Sequence, residues 1–201
     1  MTTKVARKKR NMPRRSPKKR PLPATWMVGK KVRLRPIEPY DVPLLLRWIN
    51  GSAALEWLQP RLPLTQRQEQ AWAARAATDP QMPTFIIQTL RGVDIGVLGL
   101  QLESNRGIFG IAIHEPRYWS QGYGQDAVQV MVDAAFRVLP LQRIELLVLP
   151  QNLRALRCYE KAGFTREGLL RRYIYNRGKA QDMIIMSILH SEWTQQLPAE
   201  P

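Results

Sequence analysis

The sequence predicts a mixed α/β (α+β) domain, with a mostly antiparallel central sheet of about seven strands flanked by about four helices. Three observations carry that expectation. The stretch IAIHEPRYWSQGYGQDAVQVMVDAAF, Ile111 to Phe136, passes from a strand-like segment through a glycine-containing turn into a helical pattern. Its apolar residues fall at Ala127, Val128, Met131, Val132, Ala135 and Phe136, one face of a helix. Arg143 to Leu149 is almost wholly apolar in its middle, as a strand buried on both faces should be. Finally, β-prone runs are joined by short turns at Arg91-Gly92-Val93-Asp94 and Asn176-Arg177-Gly178-Lys179, which read as antiparallel hairpins.

The chain has 201 residues, of which 44% are apolar, enough for one well-cored domain over 26–197. Its formal charge of +15 is concentrated at one end. Lys4, Arg7, Lys8, Lys9, Arg10, Arg14, Arg15, Lys18, Lys19 and Arg20 lie in a segment without an acid. Residues 1–25 are expected to be a disordered basic tail, with dense like charge, little to bury, and prolines at 13, 17, 21 and 23. Two uses compete for residues 4–20: an electrostatic tether to RNA, the ribosome or another polyanion, and a solubilising extension. Residues 198–201 read as a frayed end. The single cysteine, Cys158, rules out an internal disulfide and fits a reducing compartment, so a cytoplasmic protein is expected. No apolar run approaches the roughly 20 residues of a membrane span, and the N-terminus lacks a secretory apolar core. The prolines argue against the amphipathic helix of a transit peptide.

The elements follow in order. Val32-Arg33-Leu34-Arg35 alternates and reads as a first strand, ended by Pro36. Asp41 is expected to N-cap a helix with Pro43 in its first turn, stopped by Gly51. Ala53 to Pro63 reads as an irregular link. Thr65 and Gln68 form a capping box for a helix over 66–77, broken by Asp79-Pro80. Residues 84–90, 95–101 and 107–114 are the next strands. After the glycine turn and its helix come the strand 143–149 and a helix over 152–162 with Gly163 at its C-cap. Residues 164–175 and 182–189 close the sheet.

The turn Trp119-Ser120-Gln121-Gly122-Tyr123-Gly124 has the chemistry of a phosphate cradle. The first N–H groups of a helix lack internal partners and carry partial positive charge. Gly122 and Gly124 allow close backbone approach. A dinucleotide fingerprint fits poorly, because its third glycine position is Ala127, and no Gly-Lys-Ser/Thr follows for a Walker loop. A second stretch, VLPQNLRALRCYEKAGF, carries Asn152, Ala155, Tyr159, Glu160, Lys161, Gly163 and Phe164. Together the two stretches resemble the GNAT superfamily of acyl-CoA-dependent N-acetyltransferases over roughly Val32 to Leu189, with Gln/Arg-x-x-Gly-x-Gly/Ala at the pyrophosphate followed by Asn-x-x-Ala-x-x-x-Tyr-Glu-Lys-x-Gly-Phe. Trp119 stands where that family usually has Gln or Arg, a departure that resembles the ribosomal-protein N-acetyltransferase branch.

The resemblance implies a GNAT-like fold, acetyl-CoA as cosubstrate, and a primary amine as acceptor. A protein N-terminal amine is the first expectation. Small-molecule amines (amino sugars, polyamines, aminoglycosides) are the alternative, and a non-catalytic acetyl-CoA-binding protein tethered to RNA or ribosome by its tail is the rival class. Trp119, Ser120, Gln121, Gly122, Tyr123, Gly124 and Gln125 would hold the pyrophosphate. Ile111, Ala112 and Ile113 would pair with the pantetheine arm as an added strand, and Asn152 would fix its amides. Asn152 is also a strong helix cap on its own account. Tyr159, two turns along the same helix face, would be the general acid for the leaving thiolate. Glu103, His114 and Glu115 lie near the central strands and are candidates for a general base, and none is assigned. Glu56 and Trp57 are acceptor-side candidates, together with the closing hairpin around Tyr173 to Lys179. No metal site is assigned.

Overall fold

The computed structural model describes residues 27–58, 62–176 and 178–196. The basic segment 1–25, with its proposed polyanion contacts, and residues 198–201 lie outside them. Among the described residues eight strands form one sheet, in the order β1-β2-β3-β4-β5-β6-β8-β7. They are β1 Met27–Val28, β2 Val32–Pro36, β3 Thr84–Thr89, β4 Asp94–Glu103, β5 Arg106–Ile113, β6 Arg143–Val148, β7 Thr165–Asn176 and β8 Lys179–Leu189. The helices are α1 Val42–Gly51, α2 Gln66–Thr78, α3 Tyr123–Val138, α4 Leu153–Lys161 and α5 His190–Gln196. The mixed, mostly antiparallel α/β fold is the expected one. It holds one more strand and one more helix, because β1 is only two residues long and α5 is a short helix following β8 directly. Neither offers enough residues for a periodicity to show.

The apolar stripe of α3 is wholly buried, as its spacing requires: Ala127, Val128, Met131, Val132, Ala135 and Phe136 all face the core. They share a cluster with Phe85 and Ile87 of β3, Leu156 of α4 and Trp193 of α5. Ile86, the intervening residue of β3, points the other way, into a second cluster with Leu45 and Trp48 of α1 and Ala73 and Ala76 of α2. A strand alternates its side chains, so β3 divides two helical layers. The capping box at Thr65 and Gln68 forms as expected.

Two local expectations are corrected. Asp41 does take the N-cap position of α1, with Pro43 in the first turn, but its side chain makes no cap hydrogen bond there. Its carboxylate instead takes both guanidinium nitrogens of Arg35, at 2.7 and 2.8 Å, and the Glu38 N–H at 2.9 Å. Arg35 is 1% exposed and also contacts Asp94. An unpaired buried guanidinium costs several kcal/mol (~3 or more), against about 1 for a lost cap, so the ion pair wins. Strand β6, for its part, is fully buried on one face only. Ile144, Leu146 and Val148 point into the core, while Arg143, Glu145 and Leu147 are half-buried on the other face. That second face looks onto ion pairs and a cavity.

The cavity arises from the pairing. β5 and β6 are the one parallel pair in the sheet order, and they are in register over Arg106 to Ile108 opposite Arg143 to Glu145. Beyond that point the strands separate. β5 continues to Ile113 paired with β4 alone, and β6 continues to Val148 paired with β8 alone. An open sheet edge therefore exists in the middle of the sheet. Outside a functional cleft such an unpaired edge is a liability.

Candidate active site

The gap between β5 and β6 is the floor of a cavity of about 490 Å³, lined by Ile108 to Ile113, Leu147 to Leu149, the glycine turn and α4. The backbone of β5 decides what the gap offers. His114 N–H donates to Ile95 O of β4 at 2.9 Å. By the alternation of an antiparallel ladder, Ala112 and Gly110 also turn their backbone groups to β4. Phe109, Ile111 and Ile113 turn theirs to the gap. Ala112 thus contributes to the cavity lining while its peptide groups are spent inside the sheet. The Ile113 carbonyl is taken as well, by the Trp119 indole N–H at 2.7 Å. Ile111, with the Ile113 N–H, is left to meet an extended arm.

At the end of the gap stands the first turn of α3. Ser120 has φ 57° and Gly122 φ 83°, two left-handed residues in a three-residue span. Alternation of left-handed with other conformations turns successive N–H groups toward one point, a concavity suited to an anion. Gly122 is the N-cap of α3. Gly124, one residue into the helix, faces the cavity, and a Cβ there would sit 3.8 Å from Cys158 Sγ and from Ile113 Cγ1. Trp119, Ser120, Gly122, Gly124 and Gln125 line the cavity. Gln121 and Tyr123 turn their side chains away from it. The Gln121 amide donates to Arg117 O, and the Tyr123 ring packs edge-on against Tyr118 at 5.1 Å. Any part those two play in holding an anion falls to their peptide groups.

Two residues absent from the sequence expectations brace the turn. Asp126 accepts the backbone N–H groups of Lys30, Lys31 and Val32 at 3.0, 2.7 and 2.9 Å, tying the entry of β2 to α3. The Lys31 ammonium then reaches Gln121 O at 2.7 Å and lies 5.4 Å from the Tyr123 ring centre.

The opposite wall is α4. Asn152 is its N-cap, its side-chain oxygen accepting the Ala155 N–H at 3.2 Å, and it also lines the cavity. The cap uses the oxygen, so the amide NH₂ is the end available to a ligand. Tyr159, on the same face, lines the cavity at 8% exposure. Burial pushes its phenol pKa well above the ordinary value, so it stays protonated at neutral pH. Cys158 reports what this wall does to a thiol: desolvation pushes it up to about 11, Lys161 opposing. Arg154 lays its guanidinium 3.9 Å from the Trp119 ring centre and feels the charge of Glu56.

Trp57 reaches the cavity, as do Ala54 and Leu58 from the same turn. Glu56 is exposed beside them and acts on Arg154. From the closing hairpin, Ile174 and Met183 line the cavity, while Tyr173 and Tyr175 are exposed. The three base candidates lie off the cavity lining. His114 is buried, stacked on Trp48 at 5.0 Å with its Nδ1 2.7 Å from Ser52 Oγ. Glu115 accepts the Trp48 indole N–H at 3.1 Å, and Glu103 pairs with Arg106 at 2.7 Å.

A free strand edge ending at a left-handed turn, with a protonated phenol on the wall, has the chemistry to take an extended, phosphate-bearing acyl carrier. The donor set fits acetyl-CoA: a free strand edge for its amide-bearing arm and a helix N-terminus for its pyrophosphate. Comparison with known proteins agrees. An acetyltransferase (GNAT) domain model matches residues 31–165. Aminoglycoside N(6′)-acetyltransferase type 1 of Klebsiella pneumoniae is 32% identical over 153 residues, covering 68% of this chain and 75% of that protein. Spermidine N(1)-acetyltransferase of Vibrio cholerae is 32% identical over 78 residues, 39% of this chain and 45% of that one. The crystal structure of a Vibrio cholerae spermidine N-acetyltransferase, in complex with CoA and spermine, superposes with a TM-score of 0.75 at 23% identity, covering 81% of this chain and 98% of that one. The chain belongs to the GNAT acetyltransferase family, and it is an acetyl-CoA-dependent N-acetyltransferase acting on an amine.

Proposed function

We propose that the acceptor is a small-molecule primary amine carrying a single positive charge on a largely apolar body. The cavity lining carries the reading. Its acceptor end is built from Ala54, Trp57, Leu58, Ile174 and Met183, and no Asp or Glu lines the cavity among the described residues. A polycation such as spermidine or an aminoglycoside needs several carboxylates to replace its lost hydration. The relatives favour a small-molecule amine as the class, and the lining narrows it.

The first expectation from the sequence, a protein N-terminal amine of the ribosomal-protein type, drew on Trp119. That indole donates to the Ile113 carbonyl and carries Arg154 over its ring, contacts within the cavity wall that favour neither acceptor.

Bound acetyl-CoA supplies the activated acetyl thioester. The turn at Ser120 to Gln125 holds its anionic end, and the Ile111 edge and Asn152 amide orient its arm. Tyr159 keeps a proton at the cavity wall for the departing sulfur. A phenol with a raised pKa is a weak acid, yet the same burial raises a thiol, as Cys158 shows.

The test is acetyl-CoA-dependent thiol release with four acceptors: an arylalkylamine, spermidine, an aminoglycoside and a short peptide with a free N-terminus. The expected order puts the arylalkylamine first in kcat/KM. A polycation preferred by more than about tenfold, or roughly 1.4 kcal/mol, would overturn the reading.

A further inference from the structure

We propose that Asp182 of β8 is a positioning residue that sets amine specificity: it holds a bulge in β7 that places Ile174, instead of Arg172, on the wall of the acceptor end. The proposal rests on that end, where Ile174 and Met183 lie, being the amine side of the cavity.

The bulge is read from the ladder. Leu170 pairs with Met183 and Ile174 with Gln181, so Arg171, Arg172 and Tyr173 stand opposite Asp182 alone. A regular antiparallel ladder running on from Leu170 and Met183 would bring Arg172 to Gln181. Paired residues share a face of the sheet, and Met183 and Ile174 share the face that lines the cavity. The two extra residues of the bulge therefore exchange an arginine for an isoleucine on that wall. Re-aiming a side chain is what bulges beside a site commonly do.

The bulge is strained and needs a hold. Among the described residues three non-glycines have positive φ. Ser104 lies in the β4–β5 turn and Ser120 in the glycine turn, whereas Arg172, at 52°, lies inside a strand. Left-handed backbone is costly for a residue with a Cβ and persists only where its surroundings impose it. Arg171, Arg172 and Tyr173 are exposed, so packing does little to place them. Asp182 supplies the hold, its Oδ1 accepting the Arg172 N–H at 2.7 Å. On the other strand Gln181 is fixed by the Gln151 amide at 3.0 Å, so β7 is the partner free to change register. A guanidinium opposite Gln181 would repel a cationic amine and favour one that also bears a carboxylate.

The test measures kcat/KM of the full chain for phenethylamine and phenylalanine, amines that differ by one carboxylate. Wild type sets the reference ratio, so the variants are compared whichever amine class wild type prefers, and a preferred polycation overturns the acceptor reading alone. Asp182→Ala frees the Arg172 N–H, and the phenethylamine-to-phenylalanine ratio should fall at least about tenfold, with acetyl-CoA affinity unchanged. Asp182→Asn keeps an acceptor oxygen and should hold the wild-type ratio. Asp182→Ala/Arg172→Gly brings no guanidinium to the wall and should recover that ratio. Arg172→Gly alone should raise the melting temperature, because glycine takes this φ freely, and leave the ratio unchanged. An unchanged ratio in Asp182→Ala overturns the proposal. So does an equal loss for both amines, which marks a purely structural role, or a double variant that keeps the low ratio. Arg172→Gly melting below wild type also overturns it, and that measurement stands even where Asp182→Ala fails to fold.

Discussion

Asp126 should be worth more to this domain than any residue of the glycine motif beside it. Its carboxylate accepts three backbone N–H groups, from Lys30, Lys31 and Val32, and is buried as it does so. Asp126→Ala strands those donors at the junction of β2 and α3. Hydrogen bonds to a charged group contribute about 1.5–3 kcal/mol each, and three that share one carboxylate are not additive. A total loss of about 3 kcal/mol is expected, or roughly 6–12 °C in melting temperature for a chain of this length. Loss of the tether also releases Lys31 from Gln121 O, so the cradle should loosen and acetyl-CoA affinity should fall with stability. Urea unfolding followed by tryptophan fluorescence gives the first quantity, and titration with acetyl-CoA below the transition gives the second. Asp126→Asn, which keeps one acceptor oxygen, should lie between. A loss below about 1 kcal/mol for the alanine variant would show that water replaces the carboxylate without penalty, and would refute the argument.

The remaining expectations are shorter. Tyr159→Phe keeps the ring and removes the proton, so kcat should fall about 100-fold with acetyl-CoA affinity unchanged, as single-turnover and titration measurements would show. Gly124 has an ordinary backbone, so Gly124→Val should retain the fold and lower acetyl-CoA affinity at least about tenfold, whereas Gly122→Val at φ 83° should lose stability as well. Glu167 is held down to about 2 from 4.5, first by its hydrogen bond from Arg143 and also by Ser187. A depressed carboxyl contributes stability above its unfolded pKa and loses it as pH falls toward the folded one. Wild type should therefore lose melting temperature between pH 5 and about 2, and Glu167→Gln should flatten that limb. Deleting residues 1–25 should leave kcat/KM for a small uncharged-bodied amine unchanged. If the segment binds polyanions, filter binding to RNA should weaken in the same protein and lose salt dependence.

Legibility in the sequence followed the length of each signal. The stripe on α3 spans ten residues with every member apolar, and all six positions are buried. Thr65 and Gln68 are a local device, complete within four residues, and they form the reciprocal cap they spell. Asp41 spells a cap just as clearly and stands at the N-cap position, yet its carboxylate is used elsewhere. What redirects it is Arg35, six residues away, and Asp94, much further along the chain, which together form a buried ion network. Local propensity yields wherever a tertiary contact of several kcal/mol competes for the same atom. The apolar run of β6 likewise suggested two buried faces, because Leu147 packs a cavity wall with the same side chain that would fill a core.

The site divides along the same line. Gly122, Gly124, Asn152 and Tyr159 sit on two contiguous stretches, and the fold brings those stretches to facing walls of one cavity. Ile111 and Ala112 are adjacent in the same strand, yet only one offers its peptide groups to the gap. Sequence alternation states that they differ but not which is which, since that is settled by the pairing of His114 with Ile95. Lys31, Asp126, Arg157 and Lys161 read as ordinary solvated charges in a chain of net +15. Their meaning comes from sequence-distant neighbours: Asp126 from backbone donors at residues 30–32, and Lys31 from a carbonyl at Gln121. The one clue within reach was the spacing of Arg154, Arg157 and Lys161, which puts three cations on one face of α4 while Glu160 points elsewhere. A basic face on a helix is usually a solvated surface. Here the same face lines a cavity, beside an open strand edge and a left-handed turn.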